Sequence, residues 1–334
     1  MGPSTAFHLQ KSGHEVTVFH RGKTAAPQGT REIVGDSHQL IDYRTEFERG
    51  GFDVVVDFIL SSGRQAKELT RTFRGITQRI VAISSMDVYR AMGVIQRIEP
   101  GPIQELPLTE DSELRTQQNT YSPEAMKRVK QIYPWADDQY DKIPVEQMVL
   151  QDCDLYATVL RLPMVYGPGD PLHRFHGVLK RMDDGRNYII FPSDLAAFRS
   201  PRGFVDNVGA AIALAATSEK AAGRVYNICE EESFSELEWS KKIAAAVGWK
   251  GEFILVPQDQ APKHLRQAGN MAQHLAASSE RLRTELGYRE PVSRGEAIGR
   301  TIEWERADQP AAPLYLPFNY AEEDAAVAQL KASA

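Results

Sequence analysis

A tyrosine, a lysine and a glutamate lie close together in the stretch QYDKIPVE, residues 139–146. A tyrosine hydroxyl can act as a general acid or base, and a lysine ammonium beside it lowers the tyrosine pKa by its positive charge. Pro144 indicates that a helix begins here, because proline is favoured in the first turn of a helix. The stretch is therefore either an acid/base centre or the ordinary start of an amphipathic helix.

The elements that would position these side chains alternate between short apolar runs and helix-like segments. The predicted strands cover residues 14–20, 52–60, 78–85, 155–167 and 223–230. The predicted helices cover residues 4–13, 63–75, 234–249, 278–288 and 296–310. Strand–helix alternation predicts a parallel sheet with right-handed crossovers, and the nearly unbroken apolar run at 52–60 predicts a strand buried on both faces.

Two helix boundaries carry their own signals. Ser235 followed by Glu238 forms a capping-box pattern at the start of one helix, and Gly287 ends another. The tail, residues 320–334, is predicted to be either a helix of low stability or disordered, and no function is assigned to it.

Composition and charge exclude several classes of protein. The chain has 334 residues, of which 42% are hydrophobic and 25% charged, as in an ordinary soluble globular protein. The net charge of −6 argues against a general nucleic-acid binder, which needs a basic face. No apolar run approaches the roughly 20 residues needed to span a bilayer, and the first residues do not form a signal peptide.

The cysteines and histidines give no sign of a metal or disulfide framework. Cys153 and Cys229 are the only cysteines, and two lone thiols indicate a reducing compartment, so we expect a cytoplasmic protein. The eight histidines show neither an HxxxH nor an HExxH spacing, so no metal site is predicted.

The first predicted strand ends in a basic tip, which carries His20, Arg21 and Lys23 with no carboxylate. In dinucleotide-binding folds an acid at the end of the second strand bonds the ribose 2′-hydroxyl, whereas arginine favours a 2′-phosphate. The tip therefore indicates a preference for NADP(H), or else it is a solvated basic turn.

The phosphate-binding loop of such a fold is missing. A dinucleotide fold needs a first strand and a glycine-rich turn at the N-terminus of the next helix, but Gly2-Pro3 heads the first helix with nothing before it. Either the central strand has been lost, or the sequence begins about fifteen residues late. The late start is favoured, because losing a middle strand leaves buried backbone groups unpaired.

Several strings in order along the chain resemble those of the extended short-chain dehydrogenase/reductases, the NAD-dependent epimerase/dehydratase group. ISSMDVY (83–89) resembles SSxxVYG, and LTEDSEL (108–114) resembles TEDxPL. LRLPMVYGPGDP (160–171) resembles LRPxxVYGPGDP and is the most specific match. The remaining matches are GHEVTVFHRG (13–22), the Gly35-Asp36 pair, RGFVDNV (202–208) and VYNICEEES (225–233). The resemblance covers nearly the whole chain.

The resemblance implies a set of site residues. Ser85 falls at the catalytic Ser/Thr position, Lys142 at the catalytic lysine, and Tyr140 is the provisional acid/base. The residues implied to bind the cofactor, NADP or NAD with NADP favoured, are Gly2, His20, Arg21, Asp36, Ser37, Phe58, Ile59, Ser84, Lys142, Pro163 and Val165. The residues implied to bind substrate are Asp87, Tyr89, Tyr166 and Arg202.

The spacing of tyrosine and lysine departs from the family, in which tyrosine lies four residues before lysine on one helix face. Asp138 occupies that position, and Tyr140 lies two residues before Lys142, about 200° away round a helix. Three interpretations stay open. Tyr140 reaches the site from a loop if the helix begins near Asp141, Asp138 or another group does the acid/base work, or the site binds cofactor without conventional chemistry.

Two further departures affect the expected pocket. Phe58-Ile59-Leu60 stands where the family has small residues, so the nicotinamide pocket is expected to be reshaped. The segment 115–137 is longer than in simple members and carries basic and aromatic residues. It is predicted either to be an insertion over the active site or to be a surface excursion.

The resemblance implies a Rossmann-like doubly wound parallel sheet with a smaller C-terminal α/β substrate domain. The expected dinucleotide-binding domain comprises 1–170 and 201–230, and the substrate domain 171–200 and 231–334. The expected function is an NAD(P)-dependent epimerase, dehydratase or reductase acting on a nucleotide-sugar-like or other hydroxylated small molecule. The alternative is a cofactor-binding regulator or RNA-associated protein of the same fold. A homodimer is carried over weakly from the family, and no membrane partner is expected.

Overall fold

The computed structural model describes residues 1–118, 121–311 and 315–333. Its strands are β1 Thr17–His20, β2 Arg31–Val34, β3 Val54–Asp57, β4 Arg79–Ser85, β5 Tyr156–Leu162, β6 Met164–Tyr166, β7 Tyr188–Pro192, β8 Arg202–Phe204, β9 Val225–Asn227 and β10 Glu252–Val256. Its α-helices are α1 Gly2–Lys11, α2 Arg44–Gly50, α3 Gly63–Phe73, α4 Arg90–Ile95, α5 Pro123–Ile132, α6 Lys142–Leu150, α7 His176–Asp183, α8 Ser193–Ala197, α9 Val205–Thr217, α10 Glu236–Val247, α11 Glu280–Leu286, α12 Arg294–Ala307 and α13 Tyr320–Ser333. Short 3-10 helices cover Ser37–Tyr43, Met86–Val88, Glu219–Ala221 and Lys263–Leu265.

The central sheet has the strand order β3-β4-β5-β9, and all its pairs are parallel. Alternate residues of β4 point to opposite faces, as a strand requires. Ile80 and Ala82 pack in the core with α3 and α6, whereas Val81 and Ile83 pack in the core with α9. Helices therefore cover both faces of a parallel sheet, which confirms the predicted Rossmann-like α/β fold.

β1 and β2 form a separate parallel pair, and among the described residues no strand joins β1 to β3. A cavity of about 410 Å³ lies between these two strands. β3 is predicted to be buried on both faces, but Val54, Val55 and Val56 are only half-buried. Val54 and Val56 pack against the core with α9 and Val55 against the core with α3 and α6, so both faces of β3 are covered, and the partial exposure comes from the edge that faces the cavity.

A second core lies around the two-stranded sheet of β7 and β10. Trp239 of α10 and Phe191 of β7 are fully buried there, together with residues of α7 and α12. The substrate domain proposed from the sequence stays a prediction, and this core also contains Tyr166 and Phe204 from segments that were assigned to the other domain.

The second half contains elements that the sequence reading missed. β7 and β10 are short apolar runs that, among the described residues, pair with each other alone. In the first half, β2 was also missed, and it has the charged sequence REIV. The predicted capping box of Ser235 and Glu238 is confirmed, and Gly287 has a left-handed φ of 71° at the end of α11.

The tail forms a helix, α13, that is fixed to the second core. Glu323 is buried and accepts hydrogen bonds from the buried guanidinium of Arg181, with an Nη2–Oε1 distance of 2.6 Å. Val327 joins the apolar core beside them. The alternative of a disordered tail is therefore not what the structure shows for residues 320–333. In the described part of the chain, no helix has the length and apolarity needed to cross a membrane.

Candidate functional site

The helix at the candidate site begins where the loop interpretation requires. α6 starts at Lys142, and the side chain of Asp141 caps it by accepting a hydrogen bond from the Ile143 backbone N–H. Tyr140 therefore lies in the loop before the helix. The geometric objection to Tyr140, that it would lie on the opposite helix face, does not apply.

Lys142 lies at the carboxyl ends of two central strands. Its side chain is buried, and its Nζ donates to the carbonyl oxygens of Ile83, at 3.0 Å, and of Leu60. Burial lowers the pKa of Lys142 to about 8, against the opposing charges of Asp87, Asp57 and Glu146. The lysine therefore stays largely cationic at neutral pH in a buried position.

Tyr140 lies beside this lysine but is not activated by it. The Nζ of Lys142 is 5.8 Å from the Tyr140 ring centroid, and the ring of Tyr121 contacts Tyr140 edge-on at 5.5 Å. Burial raises the pKa of Tyr140 well above its usual value, and the carboxyl of Asp87 adds to this. The effect of burial on the Tyr140 pKa therefore outweighs the lowering expected from the positive charge of Lys142.

Asp87 is the titratable group that sequence reasoning undervalued. Ser85 ends β4 and accepts a hydrogen bond at its Oγ from the Asp87 backbone N–H, at 3.2 Å. Asp87 is half-buried, and its Oδ1 is sealed from solvent without a hydrogen-bond partner among the described residues. Burial raises the pKa of Asp87 to about 6, with Arg115 and Lys142 opposing the rise. The only signal in the sequence was a carboxylate two residues after the catalytic Ser/Thr position.

Both ends of the segment 115–137 lie against this cluster, and its being an insertion stays a prediction. The ring of Trp135 lies 5.6 Å from the Lys142 Nζ, and the backbone N–H of Asp137 donates to the Ser61 Oγ at 3.0 Å. At the other end, Arg115 forms a buried ion pair with Asp141 at 3.2 Å. The segment is thus fixed at both ends, to the loop after β3 and to the start of α6.

A buried polar network holds α6 against the sheet. Ser84 donates to Glu146 at 2.6 Å, and Arg161 pairs with the same carboxylate at 2.8 Å. Tyr89 donates to Asn227 at 2.6 Å and accepts from Arg161 at 3.1 Å. The hydroxyls of Ser84 and Tyr89, proposed to contact cofactor and substrate, are thus already bonded within this network. Their proposed roles stay predictions.

The other proposed cofactor residues lie around the cavity between β1 and β3. Its lining includes Gly2, His20, Ser37, Phe58 and Ile59. Beside it, Asp36 caps the 3-10 helix that follows β2 by accepting from the His38 N–H at 3.0 Å. Arg21 is exposed.

The basic tip of β1, which has no carboxylate of its own, lies beside a carboxylate of β2. Glu32 of β2 brings its Oε2 to 3.2 Å from the His20 Nε2. The sequence reading missed it because the pairing of β1 with β2 was not predicted. The tip of β1 therefore carries both basic and acidic side chains, which weakens the argument for a 2′-phosphate site.

Of the remaining proposed residues, Tyr166 and Arg202 lie in or next to the second core, whereas Val165 packs against the core beneath α9. Pro163 and Val165 are half-buried beside or within β6. Tyr166 is buried and donates to Glu230 at 2.8 Å. Arg202 is buried and pairs with Glu236 at 2.7 Å. Their contacts anchor the second core.

The residues present fit a dinucleotide at several points. The Oγ1 of Thr5 in α1 is a buried polar atom without a hydrogen-bond partner among the described residues, and Thr5 lines the cavity together with His20. A Cβ added at Gly2 would meet no atom within 4 Å, so the N-terminus of α1 is open. No group of three or more His, Cys, Asp or Glu able to hold a metal ion occurs among the described residues.

One segment of the chain is similar to a known family. Residues 123–229 match the model of the NAD dependent epimerase/dehydratase family. The match includes Tyr140, Lys142 and the LRLPMVYGPGDP string, and it confirms the resemblance over those residues. A search of curated protein sequences finds no match.

Solved structures of the same architecture cover almost the whole chain. MoeE5 in complex with UDP-glucose and NAD is 19% identical, with 92% of this chain and 95% of that chain covered and a TM-score of 0.62. UDP-glucose 4-epimerase from Thermotoga maritima, with UDP-glucose, is 17% identical over 92% and 95%, with a TM-score of 0.64. TunA, an NAD dependent NDP-hexosamine 5,6-dehydratase, is 17% identical over the same shares, with a TM-score of 0.62. At these identities the likeness shows the shared fold.

Proposed function

We propose that this chain is an NAD(P)-dependent epimerase, dehydratase or reductase that acts on a nucleotide-sugar-like substrate. The observation that carries the proposal is the cluster of Ser85, Asp87, Tyr140 and Lys142 at the carboxyl ends of parallel strands. Ligands of open α/β sheets bind at this edge. The structural neighbours include proteins solved in complex with UDP-glucose and with NAD, which supports this class of ligand.

The cofactor would lie across the cavity and the start of α6. Thr5, His20 and Ser37 lie where they would hold its adenosine and phosphate end, and Lys142 would hold the ribose next to the nicotinamide. The nicotinamide supplies hydride transfer when it is bound. Lys142 donates to two carbonyl groups and keeps one N–H for the ribose, since an ammonium has three donors.

Two groups of this chain are candidates for moving the substrate proton. Tyr140 lies in the loop above Lys142, but burial raises its pKa well above the usual value, so it favours the role of acid. Asp87 has a pKa of about 6 and a sealed, unpartnered Oδ1, so it changes protonation state close to neutral pH. We assign the base to Asp87, the acid to Tyr140 and the orientation of the substrate oxygen to Ser85.

The choice between NADP(H) and NAD(H) follows from the tip of β1. His20 and Arg21 favour a 2′-phosphate, whereas Glu32 beside His20 favours a free 2′-hydroxyl. We retain NADP(H) as the proposed preference, although the carboxylate of Glu32 weakens the argument for a 2′-phosphate. A cytoplasmic location and a homodimer stay predictions from the sequence.

The test is a fluorescence titration of the full chain with NADPH and with NADH. The proposal expects saturable binding that weakens at least about tenfold in Lys142→Ala and is unchanged in Lys220→Ala, which removes an exposed lysine far along the chain. Substrate screening with nucleotide sugars then follows, with Tyr140→Phe and Asp87→Asn as the acid and base variants. If neither cofactor binds, the proposal is wrong for this chain.

A further inference from the structure

Asp57 is a titratable side chain that the proposed mechanism does not use. It is the last residue of β3, which runs parallel to β4, so it lies at the edge of the sheet that also carries Lys142. It is half-buried and lines the cavity between β1 and β3, as do the titratable residues Glu15 and His20. A carboxyl group beside the cavity is therefore within electrostatic reach of the lysine that would hold the ribose.

The Asp57 side chain fixes the turn that follows β3. Its Oδ1 accepts a hydrogen bond from the backbone N–H of Ile59 at 2.8 Å. An aspartate that bonds the backbone two residues further on stabilises a local turn in place of a regular strand. The directions of the next two carbonyl groups, those of Leu60 and Ser61, therefore depend on the Asp57 carboxylate.

These two carbonyl groups hold the start of α6. The Leu60 oxygen accepts a hydrogen bond from the Nζ of Lys142, and the Ser61 oxygen accepts one from the Asp141 backbone N–H at 2.8 Å. The turn after β3 thus supports both the lysine and the residue that caps its helix. A turn that loses its hydrogen bond to Asp57 would hold the ammonium less firmly.

Asp57 also acts on Lys142 through its charge. Burial raises the pKa of Asp57, and its backbone hydrogen bond and the Lys142 ammonium oppose the rise. Burial lowers the pKa of Lys142 to about 8, and Asp87, Asp57 and Glu146 oppose that fall. Tyr140, whose ring also faces the ammonium, stays neutral because burial raises its pKa well above the usual value. Asp57 and Lys142 therefore favour each other's charged form.

The three acids around the ammonium differ in their other partners. Glu146 is already paired with a buried guanidinium at 2.8 Å. Asp87 has Arg115 as well as Lys142 among the cations that act on its pKa. For Asp57, the cation that opposes the rise of the pKa is Lys142 itself. The charge of Asp57 is therefore the one most closely linked to the charge of the lysine.

We propose that Asp57 is a positioning residue for Lys142. It fixes the turn whose carbonyl oxygen holds the ammonium, and its carboxylate favours the charged form of that ammonium. That the charged lysine then bonds the ribose of the cofactor rests on the proposed function. The effect of Asp57 on Lys142 is a property of the chain without cofactor, so it is measured separately.

The first experiment follows the protonation of Lys142 by NMR in the full chain without cofactor. Lysine is isotope-labelled at its ε carbon, the Lys142 signal is assigned by its loss in Lys142→Arg, and the signal is followed from about pH 6 to pH 11. Asp57→Asn keeps the acceptor oxygen of the turn but removes the charge, so the acid dissociation constant of Lys142 should rise at least about threefold. Asp57→Glu, which restores the charge, should move the constant back toward that of the unaltered chain. The matched control, Asp53→Asn, removes an exposed carboxylate at the opposite end of β3 and should leave the constant unchanged.

The second experiment measures NADPH affinity against pH in the same variants and in Asp57→Ala. Asp57→Asn should lose affinity at a lower pH than the unaltered chain, and Asp57→Ala, which also loses the turn, should bind more weakly at every pH. A purely structural residue would give a loss in Asp57→Ala that is the same at every pH, with no shift in Asp57→Asn, and that result would overturn the proposal.

The two experiments fail in different ways. An unchanged acid dissociation constant of Lys142 in Asp57→Asn overturns the role of Asp57 even if NADPH binds. If the unaltered chain binds neither NADPH nor NADH, the proposed function is wrong, and the NMR titration still decides whether Asp57 acts on Lys142.

Discussion

The two parts of the parallel sheet differ in how their strand edges are satisfied. β4 pairs with β3 on one side and β5 on the other, and Ile80 and Val81 within it are fully buried. Within the described ranges β1 pairs with β2 alone, and all four of its residues are half-buried. The closed part carries the proposed proton-transfer and ribose-binding groups, whereas the open part would hold the adenosine end. Chemistry and cofactor binding therefore rest on regions of unequal stability.

The largest expected effect is a loss of stability in the closed part of the sheet. Glu146→Ala leaves Arg161 charged and unpaired in the core, so we expect a loss of about 3–5 kcal/mol in the free energy of unfolding, measured by urea denaturation. The matched control is Glu15→Ala, which breaks an exposed pair with Arg31 at 2.8 Å in the open part and should cost about 0–1 kcal/mol. Equal losses would show that the network does not hold the closed part together.

The next effect concerns Asp87 and the pH dependence of stability. Its folded pKa of about 6 lies above the unfolded value near 3.8, so the folded state holds the proton more tightly. The free energy of unfolding should therefore fall as pH rises from about 4 to 6, by up to about 3 kcal/mol. Asp87→Asn should remove this fall in urea titrations at several pH values, whereas Asp42→Asn, on the exposed surface, should keep it. A fall that persists in Asp87→Asn would assign it to another group.

A smaller effect concerns the charge of Lys142. Because its pKa is about 8, the ammonium that would bond the ribose loses its proton as pH rises above that value. We expect NADPH affinity to fall about tenfold between pH 7 and 9 in the unaltered chain. Lys142→Arg should flatten this dependence, since arginine keeps its charge. A pH-dependent loss that is identical in both chains would place the titrating group elsewhere.

The smallest effect concerns Glu32 in the open part. Glu32→Gln removes the carboxylate that lies 3.2 Å from His20, so we expect the NADPH-to-NADH affinity ratio to rise a few-fold. Glu252→Gln, on exposed β10, serves as the control in the same titrations. A ratio that does not change would mean that Glu32 has no part in reading the 2′ position.

The sequence predicted the elements whose signal is local. Five strands, the helices at 4–13 and 63–75 and a possible helix start near Asp141 were readable, because apolar periodicity and capping residues are short-range patterns. The helices α2, α5 and α9, which lie between the predicted strands, were not predicted. β2 was missed because REIV carries two charged residues in four, and an exposed strand lacks an apolar run. β7 and β10 were missed because only their mutual pairing identifies such short runs as strands.

The candidate site was predictable where residue type alone suffices. Lys142 and Ser85 followed from motif spacing, but the carboxylate of Glu32 beside His20 depends on the register of β1 with β2. The acid/base candidacy of Asp87 depends on burial and on four charged neighbours from distant parts of the chain. Such environments form only in the folded structure, so residue spacing does not reveal them.

The most direct test of the contrast between the two parts is amide hydrogen exchange on the unaltered chain. We predict that amides of β1 and β3 that face the cavity between these two strands exchange orders of magnitude faster than those of β4 and β5, whose backbone is paired on both sides. Protection of β1 and β3 equal to that of β4 and β5 would contradict the account, because it would mean that the sheet is closed.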